Sequence, residues 1–130
     1  MNEKKYDLEE RLINFAVSVI QLVENLPNTK SGSHLGGQLL RSGTSPSLNY
    51  GEAKSAESKK DFIHKMKVCL KELRESHIGL RILKRAKICR SEEQMDKIAW
   101  LMSQVIKYGK NVKDDVRMLA RTFPSVHYAG

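Results

Sequence analysis

The fold is decided by residues 58–87, which read SKKDFIHKMKVCLKELRESHIGLRILKRAK. On an ideal α-helix, at about 100° per residue, the large apolar side chains of this stretch share one face and most of its cations share the opposite face. The apolar face holds Phe62, Met66, Cys69, Leu73, Leu80 and Leu83. The pattern predicts one amphipathic helix, about 45 Å long, that packs through a single apolar stripe.

The opposite face of this predicted helix is strongly cationic. Residues 58–90 carry 11 Lys or Arg against 3 acids, so this stretch has the same net charge, +8, as the whole chain. A one-sided cationic rod is typical of proteins that bind a phosphate backbone, whereas the alternative is a solvated face that only keeps the protein soluble. The predicted nucleic-acid-binding side chains are Lys60, His64, Lys67, Lys71, Arg74, Arg81 and Arg85.

Three further segments have helical periodicity. The predicted helices cover residues 8–26, 35–56, 58–87 and 91–121, and the turn-forming residues 27–34 make the longest connection. We therefore predict an all-α fold, an antiparallel up-down-up-down four-helix bundle in one domain spanning residues 1–130, with the third helix longest and a loose tail at 125–130. Ser58 and a capping box at 91–94 are the predicted N-caps. In the fourth helix, Met102 and Gly109 are predicted on the core stripe.

The second segment differs from the others because it is rich in small residues. Leu35 and Leu39 are its only large residues at core spacing, and Gly43, Pro46 and Gly51 follow them among several Ser, Thr and Ala residues. Propensity alone favours a loop here, but small residues at helical spacing let neighbouring helix backbones approach closely. We predict a helix that bends at the proline.

Composition places the chain among globular proteins, with 40% apolar and 29% charged residues. Its most apolar run, residues 13–23, is too short to span a membrane. Cys69 and Cys89 lie about 30 Å apart along the predicted third helix, so they cannot form a disulfide with each other. We expect reduced thiols in a cytoplasmic protein, with Cys69 in the core and Cys89 near a helix end.

The sequence lacks the patterns that carry catalysis. Glu75 and His77 project about 200° apart on a helix, unlike the Glu-x-x-His pairs of di-metal bundles. His64 falls on the cationic face, away from Cys69, and no zinc-type Cys-x-x-Cys, His-Glu-x-x-His or phosphate loop is present. The expectation is a protein that is not an enzyme and has no catalytic, metal-binding or cofactor-binding residues.

One flank of the predicted third helix leaves two alternatives open. Ile63, Leu70 and His77 recur at seven-residue spacing between the apolar and the cationic faces. They fit a broad core stripe, which is common in bundles, and they fit equally well an oligomer interface beside the charged face.

The aromatic residues also have two interpretations. Tyr50, Trp100 and Tyr108 are the candidates for stacking on nucleic-acid bases. Packing in the core or in an interface is favoured for them, because none lies in the cationic stripe. Contact with nucleic acid should then follow the phosphate backbone and read little of the base identity.

The second segment and the start of the third carry a family resemblance. The sequence runs Gln38-Leu-Leu-Arg-Ser-Gly-Thr-Ser45, then Pro46-Ser-Leu-Asn-Tyr-Gly-Glu-Ala53, and later Ser58-Lys-Lys-Asp-Phe-Ile63 and Lys71-Glu-Leu-Arg-Glu75. These motifs resemble the bacterial four-helix bundle proteins encoded in intervening sequences of 23S ribosomal RNA genes, also called S23 ribosomal proteins. The resemblance covers residues 8–120, is most specific at 41–62, and departs from the family pattern at Pro46 and at Tyr50-Gly51.

The resemblance implies a non-enzymatic bundle that assembles into a homopentameric ring. It also implies a fold shared with the accessory proteins of diversity-generating retroelements, which work with a reverse transcriptase and RNA. By the same resemblance, four family residues on one helix face make polar contacts between helices or subunits. These residues are Arg41, Ser45, Asn49 and Glu52.

The expected partners are therefore other copies of the chain and nucleic acid, with RNA favoured only through the resemblance. The alternative hypothesis is a protein-interaction scaffold, for a partner such as a reverse transcriptase, in which the positive charge only steers the encounter. No cofactor and no membrane contact is expected.

Overall fold

Four helices make up the fold. The computed structural model describes residues 7–88 and 91–122, so Cys89, Arg90 and the predicted tail at 125–130 lie outside the described residues. The helices are α1 (Leu8–Glu24), α2 (Lys30–Lys54), α3 (Lys59–Arg85) and α4 (Glu92–Thr122). Within the described ranges all regular secondary structure is helical, which confirms the predicted all-α four-helix bundle.

The order of packing follows the order of the chain. α1 packs against α2 and α4, and α3 also packs against α2 and α4, so α1 and α3 lie at diagonal corners of the bundle. Short connections between successive helices then give the up-down-up-down arrangement. In the described part of the chain, no helix is long and apolar enough to cross a membrane.

One apolar core runs through the bundle. α1 contributes Leu12, Phe15 and Val19, all of which are buried. The ring of Phe15 meets that of Tyr108 on α4 edge to face, with centroids 5.8 Å apart. Such T-shaped pairs add to the stabilisation that comes from burying the rings. On α3 the buried apolar side chains are Met66, Cys69, Leu73, Leu80 and Leu83, whereas Phe62 is half-buried against the core.

The core stripe of α4 differs from the predicted one. Leu101 and Tyr108 are buried, and Met102 and Gly109, which were predicted there, are only half-buried. The observed stripe, with Leu101 and Tyr108, and the predicted stripe, with Met102 and Gly109, both fit the 3-4 spacing of an amphipathic helix. They differ by one position, or about 100° around the helix. The set with the larger apolar volume faces the core, because a glycine there would leave the space of a tyrosine ring empty.

Two predicted helix boundaries are wrong. α2 begins at Lys30, not at Leu35, because Thr29 is an effective N-cap: its hydroxyl accepts a hydrogen bond from Gly32 N at 3.0 Å. α3 ends at Arg85, not at Lys87, and with 27 residues it is shorter than α4, with 31, so the prediction that the third helix is longest is also wrong. The turn-forming composition of 30–34 concealed the first turns of α2.

The contact between α1 and α2 depends on glycines, and we call it the glycine seam (Gly36 and Gly43 of α2 against α1). A Cβ added at Gly43 would lie 2.8 Å from Val19 Cγ1, which is closer than real Cβ atoms approach. A Cβ at Gly36 would lie 3.3 Å from Leu26 Cδ1 and from Val23 Cγ1. Missing side chains therefore let the two helix backbones come together, as the small residues of this segment predicted.

α2 continues without interruption through Pro46. Proline has no N–H to donate within the helix, and its ring disfavours an interior position. Here the ring is buried, and the Pro46 carbonyl accepts the Cys69 thiol of α3 at 3.4 Å. Packing thus holds the proline inside the helix, and the bend at this residue stays a prediction.

Candidate interaction surface on helix α3

The start of α3 is fixed by a short polar cap. The Ser58 hydroxyl accepts a hydrogen bond from Asp61 N at 2.9 Å, which confirms the predicted N-cap. Asp61 lies in the first turn, and Lys84 and Arg85 lie in the last turn. Both placements suit the helix dipole, because acids are favoured at its positive end and cations at its negative end.

Arg41 of α2 neutralises two of the three acids of α3. Its guanidinium donates to Glu72 Oε1 at 3.0 Å and to Glu75 Oε2 at 2.5 Å. The Glu75 hydrogen bond and charge, and then the Glu72 charge, raise the pKa of Arg41. Glu72 is buried, with 7% of the residue exposed, so it depends on this partner more than Glu75 does.

A buried hydroxyl pair lies beside these ion pairs. The Ser42 and Ser76 Oγ atoms are 2.9 Å apart, and the Ser76 hydroxyl is also 3.0 Å from the Glu72 carbonyl oxygen. We call this contact between α2 and α3 the polar seam (Arg41, Ser42, Glu72 and Ser76). No hydroxyl or carboxylate in the described side chains is buried without a hydrogen-bond partner. The polar seam was not predicted from the sequence, although Ser76 occupies the 3-4 position between Leu73 and Leu80.

The predicted nucleic-acid-binding residues lie on the outer side of α3. All seven are exposed except Arg81, which is half-buried. None of them forms an ion pair within the described part of the chain. The seven are Lys60, His64, Lys67, Lys71, Arg74, Arg81 and Arg85.

This outer side has two chemically different parts. The first, which we call the lysine half, comprises Lys60, His64, Lys67 and Lys71. The second, which we call the arginine half, comprises Arg74, Ile78, Arg81, Ile82 and Arg85.

Exposed isoleucines distinguish the arginine half. Ile78 and Ile82 are 45% and 43% exposed, and sequence analysis did not place them among the cations. Together with Leu35 and Leu39 they line a groove of about 340 Å³ between α2 and α3. The helical period could have located them, because Ile78 follows Arg74 by four residues and Ile82 precedes Arg85 by three.

The four residues assigned to polar contacts divide between two roles. Arg41 and Glu52 contact α3, since Glu52 accepts from Lys65 Nζ at 2.8 Å. Ser45 Oγ donates to the Arg41 carbonyl at 2.7 Å, and Asn49 Nδ2 donates to the Ser45 carbonyl at 3.0 Å. Arg41 and Glu52 therefore form ion pairs with the neighbouring helix, whereas Ser45 and Asn49 donate hydrogen bonds to the backbone of α2 itself. A role between subunits stays a prediction for all four.

The flank residues Ile63, Leu70 and His77 are all half-buried. Leu70 packs against the apolar core. Their position between the core and the outer side is the predicted one, and an oligomer interface at this flank stays a prediction.

The aromatic candidates are dispersed over the bundle. Tyr108 is buried in the core, and Tyr50 is half-buried with the Lys54 ammonium 5.7 Å from its ring centre. Trp100 is 46% exposed and borders a cleft of about 1050 Å³ between the end of α1 and the start of α4. Lys97 Nζ lies 5.2 Å from the centre of its ring. These aromatic rings are not brought together with the cations of α3.

Reactive groups are few on the described surface. Burial raises the pKa of the Cys69 thiol to about 12, so this cysteine is protonated at neutral pH. No group of three or more His, Cys, Asp or Glu that could hold a metal ion occurs among the described residues. The chemistry of the outer side of α3 is therefore that of exposed cations and apolar side chains.

Comparisons with known proteins agree on one family. The family model described as 23S rRNA-intervening sequence protein matches residues 4–111. The chain is also similar to a protein with unknown function from the S23 ribosomal protein family of Bacteroides thetaiotaomicron VPI-5482, known from its crystal structure. That similarity has a TM-score of 0.76 and 29% sequence identity, over 85% of this chain and 98% of that chain. No curated protein matches the sequence significantly.

Proposed function

Since the chain belongs to the 23S rRNA-intervening sequence protein family, we propose that it binds nucleic acid through the lysine half of α3, with RNA as the favoured polymer. The preference for RNA rests on the family alone. The phosphate backbone is the part of the polymer that is bound, because the lysine half offers cations without aromatic rings.

The observation that carries this proposal is the set of unpaired cations on one side of α3. Lys60, Lys67 and Lys71 are exposed, and none has an acidic partner in the described structure. The two acids nearest to Lys71 on α3 are engaged elsewhere, since Glu72 and Glu75 pair with Arg41 at the edge of the polar seam. Their positive charge is therefore available to phosphates.

The strength of such binding should depend on salt. Each phosphate contact releases counterions, so three lysines give a log–log slope of about −2 to −3 with salt concentration. His64 adds a ring N–H donor on the same face without requiring a fixed base sequence. Binding should accordingly vary little between sequences of the same shape.

The test compares Lys60→Glu/Lys67→Glu with Lys107→Glu/Lys113→Glu, which makes the same change of charge on α4. Binding of each to a structured RNA and to duplex DNA is measured at two salt concentrations. We expect the α3 variant to lose at least tenfold in affinity at low salt and to show a shallower salt slope. The α4 variant should stay within about threefold of wild type.

Two results would refute the proposal. One is a wild-type protein that binds neither polymer at low salt. The other is an equal loss in both variants, because the effect would then report net charge and not the lysine half. Circular dichroism of each variant checks that the helical fold is intact.

A second candidate function is a protein-interaction scaffold. Ile78 and Ile82 favour it, because a surface for phosphates alone gains nothing from exposed isoleucines. The two functions use different halves of α3, so separate variants can test them.

A further inference from the structure

The groove between α2 and α3 at the arginine half combines an apolar lining with nearby cations. Its lining includes Leu39, which is buried, and Ile78 and Ile82, which are exposed. A second recess of about 480 Å³ adjoins it and is lined by the same two isoleucines together with Arg81 and Arg85. Because the groove and the recess share Ile78 and Ile82, they form one continuous depression on the surface of the bundle.

Gly79 keeps this groove open. It lies inside α3, where glycine is a poorer helix former than any residue except proline. Of the described atoms outside its own turn of helix, a Cβ added there would meet only Leu39 Cδ1, at an ordinary contact distance of 3.9 Å. The packing of α2 on α3 therefore does not require a glycine here, in contrast to the glycine seam. What the missing side chain leaves is a hollow beside Leu39.

The charge around the groove is positive and unpaired. Lys71 and Arg74 line it, and neither forms an ion pair within the described residues, nor do the two arginines of the adjoining recess. Glu75 is the one acid among the described residues that line the groove, and it is paired with Arg41. An occupant that fits this groove therefore needs an apolar surface with acidic groups beside it.

We propose that this groove binds an acidic amphipathic helix of another protein. The proposal deepens the second candidate function, the protein-interaction scaffold, and does not rest on nucleic-acid binding. Such a helix lays apolar residues at i, i+4 and i+7 into the groove. From Lys71 to Ile82 the groove follows α3 for about 16 Å, or about three helical turns, so three such side chains fit along it. Aspartates and glutamates beside that apolar stripe meet the cations around the groove.

Other occupants fit the groove less well. The phosphates of a nucleic acid gain nothing from Leu39, Ile78 and Ile82, and no described aromatic ring lies there on which a base could stack. A membrane surface is flat, so side chains that line a hollow insert into it less readily than a protruding apolar ridge does. A convex helix with acidic flanks matches both the shape and the charge of the groove.

The first experiment uses a synthetic helical peptide as the probe. The peptide has about 16 residues, with leucines at i, i+4 and i+7, glutamates at the positions that border them, and alanines elsewhere. One control peptide replaces the leucines by glutamine, and another replaces the glutamates by lysine. Fluorescence anisotropy with the full chain should show that the probe binds about tenfold or more tightly than either control. Equal binding of the glutamine peptide would reveal attraction by charge alone and would overturn the proposal.

Gly79→Leu tests the groove without changing any charge. Its Cβ has room, and the side chain beyond it fills the hollow beside Leu39. We expect this variant to lose about tenfold or more in affinity for the probe, while its helical content and melting temperature are retained. Gly51→Leu is the matched control, because a Cβ there meets nothing within 4 Å and Gly51 lies outside the groove. Wild-type affinity in Gly79→Leu, or an equal loss in both variants, would overturn the proposal.

The isoleucine methyl signals in an NMR titration report where the probe binds. The signals of Ile78 and Ile82 should shift as the probe is added, and each is assigned by its loss in Ile78→Val or Ile82→Val. Ile106 of α4 is the control, because it is 62% exposed and lies outside the groove. Its signal should stay in place. Shifts at Ile106 without shifts at Ile78 and Ile82 would place the probe elsewhere and overturn the proposal.

Two further results would assign the groove to a different occupant and overturn the proposal. If Gly79→Leu lowers the mass measured by light scattering, a second copy of the chain fills the groove. If Gly79→Leu weakens binding to a structured RNA as much as Lys60→Glu/Lys67→Glu does, nucleic acid fills it. Probe binding is measured without nucleic acid, and Lys60→Glu/Lys67→Glu should keep it within about threefold of wild type. A failure of this proposal is therefore distinct from a failure of the proposed function.

Discussion

α2 packs against α1 and α3 through two different kinds of contact, the glycine seam and the polar seam. It has few large apolar residues, and its buried positions are mostly glycine, serine, alanine and proline. Toward α1 the glycine seam removes side chains, so that Val19 packs directly on the backbone at Gly43. Toward α3 the polar seam adds hydrogen bonds, from Arg41 to Glu72 and between Ser42 and Ser76.

This difference determines which substitutions should destabilise each seam. Close packing between backbones tolerates no added volume, because neighbouring atoms have no free space into which to move. A hydrogen-bonded seam tolerates a change of volume better but leaves a buried polar group unpaired when one partner is lost. The same helix should therefore respond to different substitutions on its two sides.

The largest effect is expected at the glycine seam. Gly43→Leu should lower the free energy of unfolding by about 3 kcal/mol, since its Cβ alone would collide with Val19. Gly37→Leu is the matched control: a Cβ there meets nothing within 4 Å, and better helix propensity should stabilise by about 0.5–1 kcal/mol. Urea unfolding followed by circular dichroism measures both. Equal effects at the two glycines would show that the seam is not tightly packed.

A smaller effect is expected from the acid of the polar seam. Glu72→Gln should cost about 1.5 kcal/mol, because a buried ion pair with Arg41 becomes a weaker hydrogen bond from the guanidinium to an uncharged acceptor. Glu75→Gln provides the comparison, since the exposed Glu75 should change stability by less than about 0.5 kcal/mol. Thermal unfolding at low salt compares the two. If Glu75→Gln is the more damaging variant, burial does not set the strength of these pairs.

The smallest effect is expected from the hydroxyl pair. Ser76→Ala should cost about 1 kcal/mol, because the Ser42 hydroxyl loses a partner but still lies 3.5 Å from the Leu39 carbonyl oxygen. The double variant Ser42→Ala/Ser76→Ala should be no less stable than the single one, since it also removes the Ser42 hydroxyl that the single variant leaves with only the long contact to the Leu39 carbonyl. A double-mutant cycle from urea unfolding measures the coupling. A strictly additive result would contradict the hydrogen bond.

The sequence predicted the apolar faces of these helices better than their polar contacts. Periodicity located Met66, Cys69 and Leu73 in the core because each apolar side chain gains free energy wherever it is buried. Ser76 gains only with a second hydroxyl at hydrogen-bond distance, and no one-dimensional pattern contains that distance. The burial of Leu101 and Tyr108 on α4 was not predicted for another reason. Two apolar stripes one residue apart have the same period, so periodicity alone does not choose between them.

The candidate surface was predicted in the same uneven way. The cations of α3 could be placed on its outer side because charged side chains are rarely buried, whichever helices pack against α3. Ile78 and Ile82 were not placed there, since an isoleucine in a sequence is read as a core residue until the neighbouring helices are known. The division into a lysine half and an arginine half therefore became visible only in three dimensions.

The diagonal placement of α1 and α3 also gives the molecule an electric dipole. Positive charge collects on the outer side of α3, while Glu10 and Glu24 lie at the opposite corner of the bundle. A polyanion approaching from solution exerts a torque on such a molecule and turns α3 toward itself before any contact forms. Added salt should therefore slow the association rate more than it changes the dissociation rate.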